Sequence, residues 1–160
     1  MSEIRVRVAD YAVSAAPDVL VTIGLGSCVA ISLHDPVAAV GGLAHILLPS
    51  EAMSRERENR AKFAGTAVPL LIEHMVTLGA RPGRLQAKLA GGAAMFAALV
   101  TSQTLQMGER NVIACRAALQ AAGVPVVGQD VGGDFGRSVY FNVMDGVMRV
   151  RSVRRGELVV

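Results

Sequence analysis

The chain is built from short apolar runs that end at glycine or proline turns, and this pattern is clearest between residues 22 and 50. Residues 22–30 read TIGLGSCVA, and residues 43–50 read LAHILLPS. The apolar runs at 23–33 and 43–48 are interrupted by Gly, Ser or His, and they are shorter than the roughly 20 residues that a membrane-spanning helix needs. Runs of this length are typical of buried β-strands, so we predict strands on both sides of a glycine turn.

The composition fits one domain that needs no disulfide or metal to fold. A chain of 160 residues, 52% of them hydrophobic, is long enough to bury a substantial core. Residues 1–8, MSEIRVRV, alternate polar and apolar side chains, which is a strand pattern and not a signal peptide. We predict a single domain over residues 1–160, cytoplasmic and without membrane insertion, in which Cys28 and Cys115 are reduced thiols.

The charge pattern argues against nucleic acid as a partner. The formal net charge is +3, and the basic residues are dispersed except in the range 149–155. That range lacks the aromatic side chains on which single-stranded bases stack. The three histidines and two cysteines do not fall at metal-ligand spacings, so we predict neither a metal nor another cofactor. The glycine turns at 24–27 and 91–92 also lack the spacing and the Lys-Ser/Thr of a phosphate-binding loop.

Periodicity and turn residues predict many strands with two or three helices, hence an α+β fold. The predicted strands cover residues 3–9, 19–23, 27–33, 40–48, 84–90, 125–128, 138–144 and 147–153. The last two are joined by Asp145-Gly146, a strong hairpin signal. We expect the strands between Val19 and Leu48 to form a meander of neighbours, because short connections favour adjacency. Residues 11–15 are interpreted as the approach to a turn.

Helices are predicted at 61–78 and 109–122, and a short helix is expected after Gly91-Gly92. The charged range 49–60 is interpreted as a mobile surface loop. Because it directly follows the strand of His45, the alternative interpretation is a flap that borders a site.

Cys28 and His45 offer the catalytic chemistry in this sequence. A free cysteine in an apolar run, or a single histidine on an apolar strand, is more often an ordinary core residue. Cys28, however, follows a flexible glycine turn, where backbone amides can approach a ligand without obstruction. A histidine can take the thiol proton and later protonate a leaving amine near neutral pH. On neighbouring strands, the two residues would form the minimum set for thiol nucleophilic catalysis.

The other candidate side chains have plainer interpretations. Thr22 can orient an imidazole, but a threonine in a strand is usually just a strand former. His34 and His74 are interpreted as surface or half-buried polar groups, and Cys115 as a core residue of a helix. The thiolate is the form that reacts with iodoacetamide. We therefore expect Cys28 to be modified faster than Cys115, and its reaction rate to rise at a lower pH than the rate of a free thiol does.

These stretches resemble the chemoreceptor glutamine deamidase (CheD) family. The resemblance rests first on TIGLGSCVA at 22–30, on Asp35-Pro36, and on the Ala-His pair within 43–49. Further stretches agree in the same order, namely KFAGTAV at 62–68, KLAGGAAMF at 88–96, GERN at 108–111 and the glycine-rich 130–138. The resemblance covers nearly the whole chain without a large insertion.

The resemblance implies a cysteine hydrolase that converts selected glutamines of methyl-accepting chemotaxis receptors to glutamates. It implies Cys28 as the nucleophile, His45 as the general base and acid, and Thr22 as the group that orients His45. For the fold it implies layered mixed and antiparallel β-sheets flanked by helices, similar to cytotoxic-necrotizing-factor-like cysteine hydrolases. It also implies a CheC-type chemotaxis phosphatase as a partner.

Two points stay open at the level of the sequence. The backbone N–H groups near Gly26 and Ser27 are our own candidates for oxyanion donors, and they do not come from the resemblance. The alternatives to a deamidase are a receptor glutamate methylesterase that uses the same site, and a non-catalytic adaptor of the phosphatase. The substrate glutamines of such receptors lie on long helices, so we expect an open groove at the site.

Overall fold

The computed structural model describes residues 1–95 and 106–160. The short helix expected after Gly91-Gly92 falls mainly outside these ranges. Within them the chain forms strands β1 Glu3–Arg5, β2 Tyr11–Ala15, β3 Val19–Leu25, β4 Val29–Asp35, β5 Val40–Ile46, β6 Gln86–Gly91, β7 Val126–Val131, β8 Arg137–Asn142, β9 Met148–Ser152 and β10 Gly156–Val159, and helices α1 Ala64–Thr77 and α2 Met107–Ala121. None of the helices in this part of the chain is both long and apolar enough to cross a membrane.

The strands pair into two five-stranded sheets. The outer sheet has the order β1-β3-β8-β9-β10, and the central sheet has the order β2-β5-β4-β6-β7. Each sheet has one parallel pair, β1 with β3 and β6 with β7, and its other pairs are antiparallel. The predicted Asp145-Gly146 hairpin is confirmed, since β8 and β9 pair on either side of it.

The two sheets pack face to face, and the helices cover the other face of the central sheet. Leu20 and Phe141 of the outer sheet share one apolar cluster with Ala30 and Leu43 of the central sheet. A second cluster joins the central sheet to α1 and α2. Strands β4 and β5 are therefore buried on both faces, which explains why their apolar runs are almost unbroken. The layered α+β fold with mixed sheets and flanking helices is confirmed.

Several local predictions were wrong. The first strand ends at Arg5 rather than at residue 9, residues 11–15 form β2 instead of a turn approach, and β10 was not predicted. The meander was also wrong, because β3 pairs with β1 and β8 in the outer sheet while β4 and β5 belong to the central sheet. The glycine turn after Leu25 carries the chain from one sheet to the other.

His34 was interpreted as a surface or half-buried group in a turn, and this was also wrong. It lies in β4 and is buried, with its Nε2 atom 2.7 Å from the carbonyl oxygen of Val143. The charged range 49–60 is largely exposed, as expected, and includes a short 3₁₀ turn at Glu51–Met53.

Candidate active site

Cys28 lies at the junction of the first glycine turn and β4, and a second glycine turn holds its backbone. The carbonyl oxygen of Cys28 accepts a hydrogen bond from the Gly92 N–H at 2.8 Å, and that of Gly26 accepts one from the Ala93 N–H at 2.9 Å. Gly91 has a φ of +107°, and a Cβ atom there would lie 2.3 Å from the Cys28 carbonyl oxygen. Only glycine fits this position, because both its backbone conformation and the close approach exclude a side chain.

The glycine-rich stretch at 130–138 packs against the second glycine turn, at residues 91–92. The Gly132 N–H donates to the Gly91 carbonyl at 2.9 Å, and the Ala94 N–H donates to the Gly133 carbonyl at 2.8 Å. The buried Arg137 forms an ion pair with Asp130 at 3.0 Å at the base of this stretch. Three motifs that are far apart in the sequence are thus stacked beside Cys28.

His45 lies in β5, directly opposite Ala30 of the adjacent strand β4. Cys28 is two residues before Ala30, so its side chain is expected on the same face as that of His45. Such diagonal neighbours on adjacent strands are about 7–8 Å apart between backbones, with their side chains closer. The face in question points toward the outer sheet, since Cys28, Ala30 and Leu43 all belong to the cluster between the sheets. Cys28, which immediately precedes β4, and His45 in β5 thus lie on adjacent segments of the central sheet.

Thr22 reaches His45 from the outer sheet. Its Oγ1 atom is 2.7 Å from His45 Nδ1 and also donates to the carbonyl oxygen of Val6 at 2.6 Å. A hydroxyl has one proton, and a carbonyl can only accept, so Thr22 accepts the hydrogen bond from His45. The proton of the neutral imidazole is therefore on Nδ1, and Nε2 carries the lone pair. Among the described residues Nε2 has no hydrogen-bond partner, although it is buried.

Burial keeps both reactive groups neutral at neutral pH. It lowers the pKa of His45 to about 4. Burial also raises the pKa of the Cys28 thiol, although the backbone N–H of Cys28 itself opposes this shift. The expectation of a thiol with a pKa below that of a free cysteine was therefore wrong, because desolvation dominates over any partner of the thiolate.

At Gly26 and Ser27 the carbonyls are hydrogen-bonded, whereas the N–H groups have no acceptor in the part of the chain that the structure describes. The carbonyls of Gly26 and Ser27 accept hydrogen bonds from the Ala93 N–H and from Asn111 Nδ2, respectively. Neither amide N–H donates to an acceptor within residues 1–95 or 106–160. These two groups can therefore serve as donors to a ligand.

Two cavities flank the first glycine turn. The smaller, about 210 Å³, is lined by Ser27, Ala93, Ala94, Met95, Gln106, Met107 and Gly108. The larger, about 630 Å³, is lined by Ile23 and Gly24 together with residues from the ends of β8 and β9. Both cavities thus border the first glycine turn, which leads directly to Cys28.

The remaining cysteine and histidines lie apart from this group. Cys115 belongs to the cluster between the central sheet and the helices, on the opposite face of that sheet, and burial raises the pKa of its thiol. The Nε2 atom of His74 in α1 is 3.2 Å from the hydroxyl of Tyr11 in β2 of the central sheet.

Asn111 was not predicted as a site residue, yet it contacts the site directly. It is fully buried in α2, and its Nδ2 atom donates to the carbonyls of Ser27 and Leu47. The sequence contains one signal for it, the GERN stretch at 108–111, which matches the family but carries no reactive group.

Comparison with known proteins identifies the family. Residues 47–152 match the family described as CheD, chemotactic sensory transduction. A protein of Caldanaerobacter subterraneus subsp. tengcongensis, named "Probable chemoreceptor glutamine deamidase CheD", is 46% identical over 153 residues, covering 96% of this chain and 94% of its own. A protein of Geobacter metallireducens, named "Probable chemoreceptor glutamine deamidase CheD 2", is 47% identical, covering 95% and 94%.

Among solved structures, Neisseria meningitidis protein NMB0706 has a similar fold. Its TM-score is 0.50 at 13% identity, and the alignment covers 84% of this chain and 63% of that one. At this identity the likeness concerns the fold alone.

The family match spans 106 residues, two thirds of the chain. The curated relatives extend the similarity to nearly all of the chain, including the stretch with Thr22, Cys28 and His45. This chain belongs to the CheD family of chemotactic sensory transduction.

Proposed function

We propose that this protein is a cytoplasmic protein-glutamine deamidase that converts glutamine side chains of chemoreceptors to glutamates, with Cys28 as the nucleophile. The observation that carries the proposal is the arrangement of His45, whose Nδ1–H is held by Thr22 and whose Nε2 lone pair has no partner in residues 1–95 and 106–160. This is the orientation that a general base for a neighbouring thiol requires. The names of the relatives supply the substrate class.

In the first half of the reaction, the thiol proton of Cys28 moves to His45 Nε2 as the sulfur attacks the side-chain carbonyl carbon of glutamine. The pair starts as a neutral thiol and a neutral imidazole, because burial raises the pKa of Cys28 and lowers that of His45. The tetrahedral intermediate then collapses as the imidazolium protonates the leaving nitrogen. The carbon–nitrogen bond breaks, ammonia departs, and a thioester remains.

In the second half, water attacks the thioester carbon and gives a proton to His45 Nε2. The carbon–sulfur bond breaks, the proton returns to the sulfur, and the product is a glutamate side chain. The amide N–H groups of Gly26 and Ser27 are proposed to stabilise the oxyanion in both halves. Their support is that they donate to no acceptor in the described ranges, and a donor of this kind typically contributes about 3 kcal/mol.

The test is mass mapping of receptor peptides after incubation with the protein. We expect the wild type to increase the mass of specific glutamine peptides by about one dalton, the difference between a side-chain amide and an acid. Cys28→Ala should abolish this change, and Cys115→Ala, which removes the other thiol, should retain it. Full activity of Cys28→Ala would contradict the proposed mechanism.

The same experiment separates the deamidase from a methylesterase. Loss of a glutamate methyl ester reduces the peptide mass by about 14 daltons, and both reactions would proceed through the same thioester. A decrease of this size without the one-dalton increase would favour the esterase.

The CheC-type phosphatase is proposed as a partner from the family resemblance. Titration calorimetry with a CheC-type protein would measure the affinity, and Cys28→Ala should bind as tightly as the wild type. Binding without any deamidation by the wild type would instead favour the adaptor.

A further inference from the structure

Asn111 connects the two segments that carry the proposed nucleophile and base. Its Nδ2 atom donates to the Ser27 carbonyl at 2.9 Å and to the Leu47 carbonyl at 3.2 Å. Ser27 directly precedes Cys28, and Leu47 lies two residues after His45. A side-chain amide nitrogen has two protons, so one carboxamide satisfies both carbonyls at once.

The helix that carries Asn111 is itself held close to the site. A Cβ atom at Gly108 would lie 2.4 Å from the carbonyl oxygen of Ala93 and 2.5 Å from that of Gly92. The start of α2 therefore packs directly on the second glycine turn, whose Gly92 N–H holds the carbonyl of Cys28. Asn111 thus projects from a helix that packs closely on this turn.

The cost of this arrangement is an unsatisfied acceptor. Asn111 Oδ1 is buried and has no hydrogen-bond partner in residues 1–95 and 106–160. Among the described side chains, the other buried polar atom without a partner is His45 Nε2. Unsatisfied buried polar atoms destabilise a protein, so their concentration around one site indicates that the groups are retained for function.

We propose that Asn111 is a positioning residue that sets the distance between Cys28 Sγ and His45 Nε2 by tying together the Ser27 and Leu47 carbonyls. This inference rests on the proposed function of Cys28 and His45. Proton transfer needs the two atoms within hydrogen-bond reach, and a displacement of about 1 Å at a reacting centre can reduce a rate by about 10²-fold.

The experiment compares Asn111→Leu and Asn111→Asp with the wild type. Leucine has nearly the same volume but no donor, and aspartate keeps the shape while replacing the amide donor by an acceptor. The matched control is Asn142→Leu, because Asn142 caps a turn between β8 and β9 through the Met144 N–H and does not contact the site. For each variant, kcat and KM for receptor deamidation, the rate of Cys28 alkylation by iodoacetamide from pH 6 to 10, and urea denaturation would be measured.

We expect kcat of both Asn111 variants to decrease at least about tenfold with KM unchanged. Cys28 alkylation at neutral pH should slow in parallel, because displacement of the two segments changes the position of His45 Nε2 relative to the thiol. Asn142→Leu should lose stability alone. Wild-type kcat in a folded Asn111 variant would overturn the inference. A loss of stability with an unchanged pH profile of Cys28 alkylation would also overturn it, and so would failure of both variants to fold. In either case Asn111 would be a structural residue.

A Cys28→Ala variant separates the role of Asn111 from the proposed function of Cys28. If Cys28→Ala is inactive while the Asn111 variants are fully active, only the role of Asn111 is refuted. If Cys28→Ala is fully active, the proposed function itself is refuted.

Discussion

Thr22 Oγ1 lies 2.7 Å from His45 Nδ1, although the two residues belong to strands of different sheets. The hydrogen bond crosses the apolar layer between the outer and the central sheet. It determines which imidazole nitrogen carries the proton, because the hydroxyl proton of Thr22 is already used by the Val6 carbonyl. The orientation of the proposed base therefore depends on how the two sheets pack.

Replacing Thr22 by valine should reduce the rate of deamidation without unfolding the protein. Valine is nearly isosteric but leaves His45 Nδ1 without an acceptor, so the imidazole can rotate or change tautomer. A positioned general base contributes about 10²- to 10⁴-fold, and we expect kcat to fall by roughly 10- to 100-fold as part of that contribution is lost. Thr22→Ser keeps the hydroxyl and should retain most of kcat. Steady-state kinetics of both variants would check this, and equal kcat for valine and serine would contradict it.

Acidification should destabilise the protein through His45. Its pKa is about 4 in the folded state and 6.5 as a free side chain, so the unfolded state binds more protons between these values. The free energy of unfolding should therefore fall as the pH decreases from about 6.5 to 4, by up to about 3 kcal/mol from this residue. Urea titrations across this range would measure the slope. His45→Gln lacks the titrating group and should show a shallower slope, whereas identical slopes would refute the assignment.

Iodoacetamide should distinguish the two cysteines in the native protein. Cys28 is 8% exposed beside a turn, whereas Cys115 in α2 is fully buried in the cluster between this helix and the central sheet. We expect Cys28 to be alkylated first, with a rate that keeps rising beyond the usual thiol range, since burial raises its pKa. Cys115 should react only in denaturant. Peptide mass spectrometry would measure both rates, and equal rates in the native protein would contradict the structure.

A side chain at Gly91 should disturb the nucleophile. Gly91→Ala introduces a Cβ atom that would lie 2.3 Å from the Cys28 carbonyl, at a φ of +107°. We expect a loss of more than about 1 kcal/mol in the free energy of unfolding, together with a lower kcat. Gly123→Ala is the matched control, because Gly123 also has a positive φ but nothing within 4 Å of its Cβ position. It should lose about 1 kcal/mol or less and retain kcat. Equal effects on kcat at both positions would exclude a specific role for the contact with Cys28.

Local patterns in the sequence were sufficient to identify the strands of the proposed nucleophile and base. The apolar runs and the Asp35-Pro36 turn predicted β4 and β5 as neighbours, and a short connection makes such pairing favourable. The Asp145-Gly146 hairpin and the two helices were recognisable for the same reason. Each of these features is decided by residues close together in the chain.

What the sequence by itself determined is thus the α+β class and the pairing of the Cys28 and His45 segments, and the family resemblance supplied the proposal that Thr22 orients His45. Tertiary structure alone decided that β3 leaves the meander for the outer sheet, that Asn111 reaches across 84 positions to Ser27, and that Cys28 has a raised rather than a lowered pKa. The physical reason is that strand pattern and turn propensity are local properties. Sheet packing, long-range hydrogen bonds and desolvation depend on which distant segments exclude water from a given side chain.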